Sequence, residues 1–416
     1  MLTLSTLFLK NHILRVPMKY LLPLSLLAAH LMADDLSTLL SGAKTNVRVE
    51  SSRLMIDKAQ AQIDEAHSAY FPTISATGPK TISGMELGAE ITLFDGFRRE
   101  ALLRALRANK EGAIQSMEQE RQNVLMETIG AYYDYLNIQS RLEANAQKCK
   151  ELDAQVERYK VLVQNDLATG DILKSLIASR LAAEYDDQNL RIQLEKNRKE
   201  LELLSGLRVQ KPIGFHELSM PQIIQMERHD LRSDRASLEI LEHTEDRYTY
   251  LPSITLSAKH KKMDYQEYDT MGGTNIQPEN QNEITASLSM TLFDMGRISR
   301  EREQARLDAL KARKLLDYKT KKLQNNADIA LLSIRSAEEA LQAANAEVAA
   351  REDAFKTIKA RFEAGLVNTT TYLSELTQLS DARAKGHHAR NALQIAKANA
   401  GYEHGIDLMS LVEEKK

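Results

Sequence analysis

The chain carries one pattern twice. Tyr70-Phe71-Pro72-Thr73-Ile74-Ser75 returns as Tyr250-Leu251-Pro252-Ser253-Ile254-Thr255, and Thr92-Leu93-Phe94-Asp95 returns as Thr291-Leu292-Phe293-Asp294. The second block is shifted further along the chain than the first, so the second copy holds an insertion between them. Beyond the insertion the shift stays constant, with Leu167-Ala168-Thr169 falling on Leu366-Val367-Asn368, Ser175 on Ser374 and Gly206-Leu207 on Gly405-Ile406. Loops seldom keep equal length over so long a stretch, whereas helices packed in register must, so two structural units of equal length are expected.

Those units are mostly helical. Only 8 Pro and 17 Gly occur in 416 residues, and 27% of the chain is charged, a composition suited to long helices. From Arg98 to Asn165 apolar or small residues recur at steps of three and four, and Leu142, Ala146, Cys149, Leu152, Val156, Tyr159 and Val163 keep a coiled-coil spacing. No proline interrupts them, so a helix over 98–165 would run about 100 Å at about 1.5 Å per residue. The repeat predicts its twin over 296–364. Segments near 36–70, 171–205 and 371–405 have half that length, and a fourth near 229–250 is shorter, so pairs stacked end to end would match one long helix. Asp171 and the run Thr369 to Thr371 offer N-caps for the returning helices.

Before each long helix the period changes from 3.6 to 2. Met85, Leu87, Ala89, Ile91 and Leu93 alternate with polar or small residues, as do Ile284, Ala286, Leu288, Met290 and Leu292. A strand apolar on one face and hydroxylated on the other suits a barrel wall between lipid and water. The weaker strands Ile74–Ala76 and Ile254–Ala258 complete one hairpin per repeat, at about 73–94 and 253–293. The insertion lies in the second hairpin loop, around Asp264 to Gln281. Four strands cannot close a barrel, for which about eight is the minimum. Two chains would supply eight and a filled interior, three would supply twelve and room for a pore.

Residues 1–33 hold no acid and read as a secretory leader, with Met18 as an alternative start. Removing them takes away Lys10, Arg15 and Lys19 and leaves acidic residues in excess over basic ones. That balance, with no basic cluster, argues against a nucleic-acid partner. No later apolar stretch reaches transmembrane-helix length. Cys149 is the sole cysteine and sits on the heptad stripe, so a buried structural thiol is expected there. His387-His388 has the wrong spacing for two ligands on one helical face and reads as solvated surface. The chain has no phosphate loop, HExxH helix or nucleophile elbow, so neither enzyme activity nor a cofactor or metal is expected. The expected boundaries are a leader over 1–33, repeats over 34–206 and 229–406, a connector over 207–228 and a tail over 407–416.

Taken in order and spacing, these residues resemble the TolC-like outer membrane efflux proteins over essentially the whole mature length. The pieces are the aromatic-or-Leu-Pro lead into each first strand, the Leu-Phe-Asp exits at Asp95 and Asp294, the turns Asn165-Asp166-Leu167-Ala168-Thr169 and Ala364-Gly365-Leu366-Val367, and Arg228-His229-Asp230-Leu231-Arg232. The resemblance implies a homotrimer in the outer membrane of a Gram-negative bacterium. Long coiled-coil hairpins would form a periplasmic tunnel, and four strands per chain would build a twelve-stranded barrel in outer-membrane lipid. It further implies a passive conduit in tripartite efflux or type I secretion, joined through a periplasmic adaptor to an inner-membrane pump or ABC exporter.

Met85, Leu87, Ile91, Leu93, Ile284, Leu288, Met290 and Leu292 would then face lipid. The turns Leu167, Ala168, Thr169, Gly365, Leu366 and Val367 would meet the adaptor, and Asp171, Phe362, Thr371 and Ser374 would surround the periplasmic entrance. Departures are equally legible. His229 and Val47 replace usual prolines, Asp166 a usual glycine, and Thr371 and Ser374 are neutral where the family often places acids. A periplasmic coiled-coil scaffold without a pore is the alternative.

Overall fold

The computed structural model describes residues 35–78, 85–212, 214–221, 227–261 and 281–413, so the expected leader and most of the inserted loop lie outside the described residues. Two helices dominate: α3 (Arg98–Gln164) and α6 (Arg297–Glu363), each of 67 residues and standing at equivalent places in the two repeats. Each is followed by a half-length return, α4 (Gly170–Ser205) and α7 (Thr369–Glu403). Before them come α1 (Leu36–Ala43) and α2 (Val47–Ser68) in the first repeat and α5 (His229–Glu245) in the second. A short α8 (Ser410–Glu413) ends the described chain.

The junctions show why the repeat keeps its length. Both long helices end in the same left-handed turn. The Leu167 N–H donates to the Leu162 carbonyl and Asp166 to Val163, and likewise Leu366 donates to Arg361 and Gly365 to Phe362. This double bond pattern closes the last carbonyls of a helix and needs a positive φ at the residue after its end. Gly365 supplies that at φ 73°, whereas Asp166 adopts φ 58° despite its Cβ. Both helices also begin alike. The Arg99 N–H donates to Asp95 at 2.9 Å and the Ile298 N–H to Asp294 at 2.9 Å, so each Leu-Phe-Asp exit caps the helix after it.

Half-length helices do stack end to end, but the expected single helix over 36–70 is broken between α1 and α2. Asn46 is the reason: its Oδ1 accepts the Arg48 N–H at 2.9 Å, and its Nδ2 donates to the Leu203 and Leu204 carbonyls at 3.1 and 2.8 Å. One buried side chain thus caps the start of α2 and the end of α4. In the second repeat the same joint is an ion pair, Arg228 Nη1 to Glu403 at 2.5 Å.

Two stretches read from the sequence only as a connector and a tail are core. The expected tail is not free over its described part: Leu408, Met409, Leu411 and Val412 are buried against Leu36, Leu39, Leu40, Val124 and Tyr132. The connector joins them, with Val209 and Leu218 buried, the Tyr132 hydroxyl donating to the Gly214 carbonyl at 2.7 Å and the Tyr133 hydroxyl to His216 at 2.6 Å. Connector and C-terminal segment form one core around the middle of α3. Cys149 is half-buried and packed against the core nearer the hairpin ends, where burial pushes its thiol up. His387 and His388 are exposed.

The strands β1 (Thr73–Thr77), β2 (Glu86–Phe94), β3 (Ser253–Lys261) and β4 (Gln281–Ser289) form one antiparallel sheet in chain order, so β2 and β3 join the two hairpins across the repeats.

Candidate functional site

Two ends of the molecule carry the residues singled out from the sequence: the strand layer and the hairpin tips. In the strand layer the register aligns the apolar residues in cross-strand rows. Ile74 faces Ala89, Ala258 and Ile284 in turn, and Ile91 faces Leu256 and Ala286. The opposite face aligns Thr73, Glu90, Ser257 and Thr285, then Thr92, Thr255 and Ser287. Nearest the helices apolar and hydroxylated residues thus occupy opposite faces of the strands, while the far row sets Ala76 and Leu87 in line with His260 and Asn282. Within one chain the apolar face stays uncovered, with Ile74 79%, Ile284 80% and Leu288 70% exposed. The outer edges of β1 and β4 have no partner strand among the described residues.

Four assignments shift. Between Thr92 and Phe94 the register slips, so Phe94, not Leu93, lies opposite Ile254 in the apolar row with Leu288; Leu93 is the extra residue of a bulge. Met290 and Leu292 fall beyond β4, which ends at Ser289, and Met85 immediately precedes β2. Leu87, Ile91, Ile284 and Leu288 stand in the strands as expected.

At the other end Leu167 and Leu366 are 74% and 76% exposed at equivalent turns, flanked by exposed Thr169 and Gly365 and half-buried Ala168 and Val367. The caps differ from expectation. Thr169 precedes α4 and Asp171 lies inside its first turn, while Asn368 caps α7 by accepting the Thr371 N–H at 2.8 Å. The Thr169 hydroxyl, with nearby backbone N–H groups, holds the Asp171 carboxyl below its usual range. Thr371 and Ser374 are exposed, whereas Glu375 turns inward to Arg351 at 3.5 Å.

Phe362 does not stand in an opening of the chain. It is 2% exposed and lies between two rings, Tyr159 at 5.5 Å and Tyr372 at 4.3 Å between centroids, both stacked. Tyr159 belongs to α3, Phe362 to α6 and Tyr372 to α7, so the stack joins the two hairpins. A polar cluster completes the joint: the Tyr372 hydroxyl donates to Glu151 at 2.7 Å, and Lys359 Nζ lies 2.7 Å from the other carboxylate oxygen. Burial pushes the Glu151 carboxyl up, but its bonds with Lys359, Tyr372 and Gln155 prevail and hold it below the usual range. Burial and the bond to Glu151 push the Tyr372 hydroxyl up, so it stays protonated and donating. Glu151, Lys359 and Tyr372 carry no mark in the periodic pattern of the sequence, and Tyr159 shows there only as a position on the heptad stripe. A signal was present, because in a chain that is 5% aromatic, Tyr159, Phe355, Phe362 and Tyr372 gather at the two hairpin ends.

The outer membrane efflux protein family matches residues 43–205 and 220–399, one segment per repeat. No curated protein sequence matches the chain. Among solved structures the fold is similar to the Campylobacter jejuni CmeC outer membrane channel, at 14% identity and TM-score 0.76 over 92% of this chain and 87% of that one. It is also similar to the outer membrane protein VceC of Vibrio cholerae, at 14% identity and TM-score 0.73 over 90% and 96%. The open state of the Neisseria gonorrhoeae MtrE outer membrane channel matches at 15% identity and TM-score 0.74 over 90% and 89%.

Proposed function

The chain belongs to the outer membrane efflux protein family, and from that premise we propose that it is a passive export conduit, three copies of which share one outer-membrane barrel and one periplasmic tunnel. The observation that carries this reading is the strand layer. Its apolar rows lie uncovered on one side, hydroxyls line the other, and both edges are open. A sheet of that kind is stable in lipid only when closed, and closure by three copies gives twelve strands and an aqueous interior. Nothing in the pore supplies energy, so transport needs a pump in the inner membrane and an adaptor bridging to it, in tripartite efflux or type I secretion.

The exposed Leu167 and Leu366 are the surface we assign to the adaptor, since apolar residues held in solvent at a rigid turn favour a partner. The stack around Phe362 and the Glu151–Lys359 pair hold the two hairpins of a chain together, so widening the tunnel mouth requires breaking them. Because Thr371 and Ser374 are neutral, the mouth has no ring of acids at these positions, and trivalent cations from that side should block weakly.

The test is conductance of the detergent-purified protein in a planar bilayer, together with export in cells. Discrete channel openings are expected. Leu167→Asp combined with Leu366→Asp should leave conductance intact and abolish export. Absence of conductance from a correctly inserted protein would overturn the channel reading, and normal export by the double variant would overturn the docking assignment.

A further inference from the structure

The two repeats finish the junction between strands and helices differently. In the first, the Arg99 guanidinium stacks over the Tyr70 ring at 4.3 Å, donates from Nη1 to the Ala69 carbonyl at 2.8 Å and pairs with Asp95 at 3.4 Å. The place is filled. The equivalent residue of the second repeat is Ile298, which makes none of these bonds, and a cleft of about 370 Å³ opens beside it.

Three guanidiniums line that cleft, from Arg98, Arg247 and Arg297, together with Tyr248, Thr249 and the single acid Glu301. Arg98 is held in place by donating to the Thr249 carbonyl at 3.1 Å, and Arg297 is held by Glu301 at 2.9 Å. Arg247 has no ion pair among the described residues. Three cations against one carboxylate leave an excess of two positive charges, and the guanidinium N–H groups can only donate. Such a wall suits a tetrahedral oxyanion, which guanidinium forks bind through paired charge-assisted bonds.

We propose that this cleft binds a phosphate group, and that a phospholipid headgroup supplies it. The source follows from position and rests on the outer-membrane reading above. The cleft lies between the start of β3, the end of β4 and the start of α6, at the level where Phe97, Tyr250 and Phe293 are exposed. Aromatic side chains at the end of a lipid-facing strand mark the headgroup layer, and arginines there meet phosphate. The lipid would tie the second repeat to the membrane where Arg99 and Tyr70 already brace the first.

Native mass spectrometry of the delipidated protein decides this, with dioctanoyl phosphatidylglycerol, dioctanoylglycerol and inorganic phosphate as separate probes. Wild type should retain phosphatidylglycerol about tenfold more tightly than the phosphate-free diacylglycerol, the order expected for charge-assisted bonds. Arg247→Gln, an exposed change that leaves the Arg98 and Arg297 bonds in place, should remove most of that preference, and Arg247→Lys should restore part of it. Inorganic phosphate bound as tightly as the lipid, and lost in Arg247→Gln, would keep the phosphate site and overturn the lipid source. Equal retention by wild type and Arg247→Gln, or no preference for phosphate over diacylglycerol, would overturn the site. The same sample gives conductance in a bilayer, so failure of the cleft is distinguishable from failure of the channel.

Discussion

α3 and α6 have the same length and the same position in their repeats, yet one is a core helix and the other a flank. Twenty residues of α3 are buried and six of α6. The contrast is sharpest at equivalent positions: Tyr133 is 0% exposed, while Leu332, its counterpart in the second repeat, is 63% exposed. Leu125 and Ile129, fully buried, correspond to Gln324 and Asp328. α3 packs on α2 and α4 on one side and α5 and α7 on the other, and the connector and C-terminal segment cover its middle. Among the described residues α6 packs along its length on α5 and α7 and meets α3 at its tip, through Phe362 and Lys359. Its open side carries Leu307, Leu310, Leu315, Tyr318, Ile329 and Leu332, and the far flank of the chain carries Leu181, Tyr185, Ile192 and Leu203 on α4. Two apolar stripes on opposite flanks complement one another only between copies, as the two open sheet edges do. The duplicated sequence folds into two units of equal length, and their unequal covering leaves the α6 and α4 flanks free for the neighbouring copies proposed above.

The largest expected effect tests that contrast within one pair of equivalent residues. Tyr133→Ala removes a buried ring and its bond to His216, so the isolated chain should lose about 3–5 kcal/mol. Leu332→Ala should change the stability of the isolated chain by less than about 0.5 kcal/mol and weaken assembly instead. Denaturant unfolding of single chains, beside the assembled fraction in detergent, checks both. Equal losses at the two positions would break the comparison.

The strand layer permits the same test across its thickness. Leu288→Arg places a charge in the apolar row and should cost about 2–4 kcal/mol, whereas Ser287→Arg, facing the other side, should be mild. Heat-resistant oligomer on a gel reports the difference.

Much of this is legible in the sequence. The long helices α3 and α6 leave a long periodic record, and the strands alternate clearly enough to place Leu87, Ile91, Ile284 and Leu288 but not to show the bulge at Leu93 or the strand ends. What escapes has no period. Asn46 breaks a helix because of where its amide meets the end of α4, and nothing local announces that. The connector and C-terminal segment are short and irregular, so their role as cover for α3 depends on tertiary contacts alone. Glu151 and Tyr372 are far apart in the chain and become partners only when the hairpins pack. Phe362 is recognisable as an aromatic of the tip but not as a buried one, because only packing brings Tyr159 and Tyr372 against its two faces.

The joint between the repeats yields a pH dependence. The Glu151 carboxyl is held below its usual range in the folded chain, so its contribution is fully present above the ordinary carboxylate value. It is lost as pH falls through the lowered folded value. Spin labels at Leu167 and Leu366 should therefore move apart on acidification into that range, and Glu151→Gln should remove the change. A tip distance unaltered by acid in wild type would show that the Glu151 carboxylate is not what holds the hairpins together.

The smallest effect compares the two turns. Asp166 adopts a left-handed backbone that Gly365 adopts freely, so Asp166→Gly should stabilise the first hairpin by less than about 1 kcal/mol, and Gly365→Asp should destabilise the second by a similar amount. Thermal unfolding of the paired variants measures it.

The measurement that bears most directly on the whole account is the native mass of the detergent-purified protein, because both open sheet edges and both apolar flanks are assigned to neighbouring copies. A single species of three chains is the result expected. A monodisperse single chain with its α6 flank in solvent, or a closed pair, would contradict it.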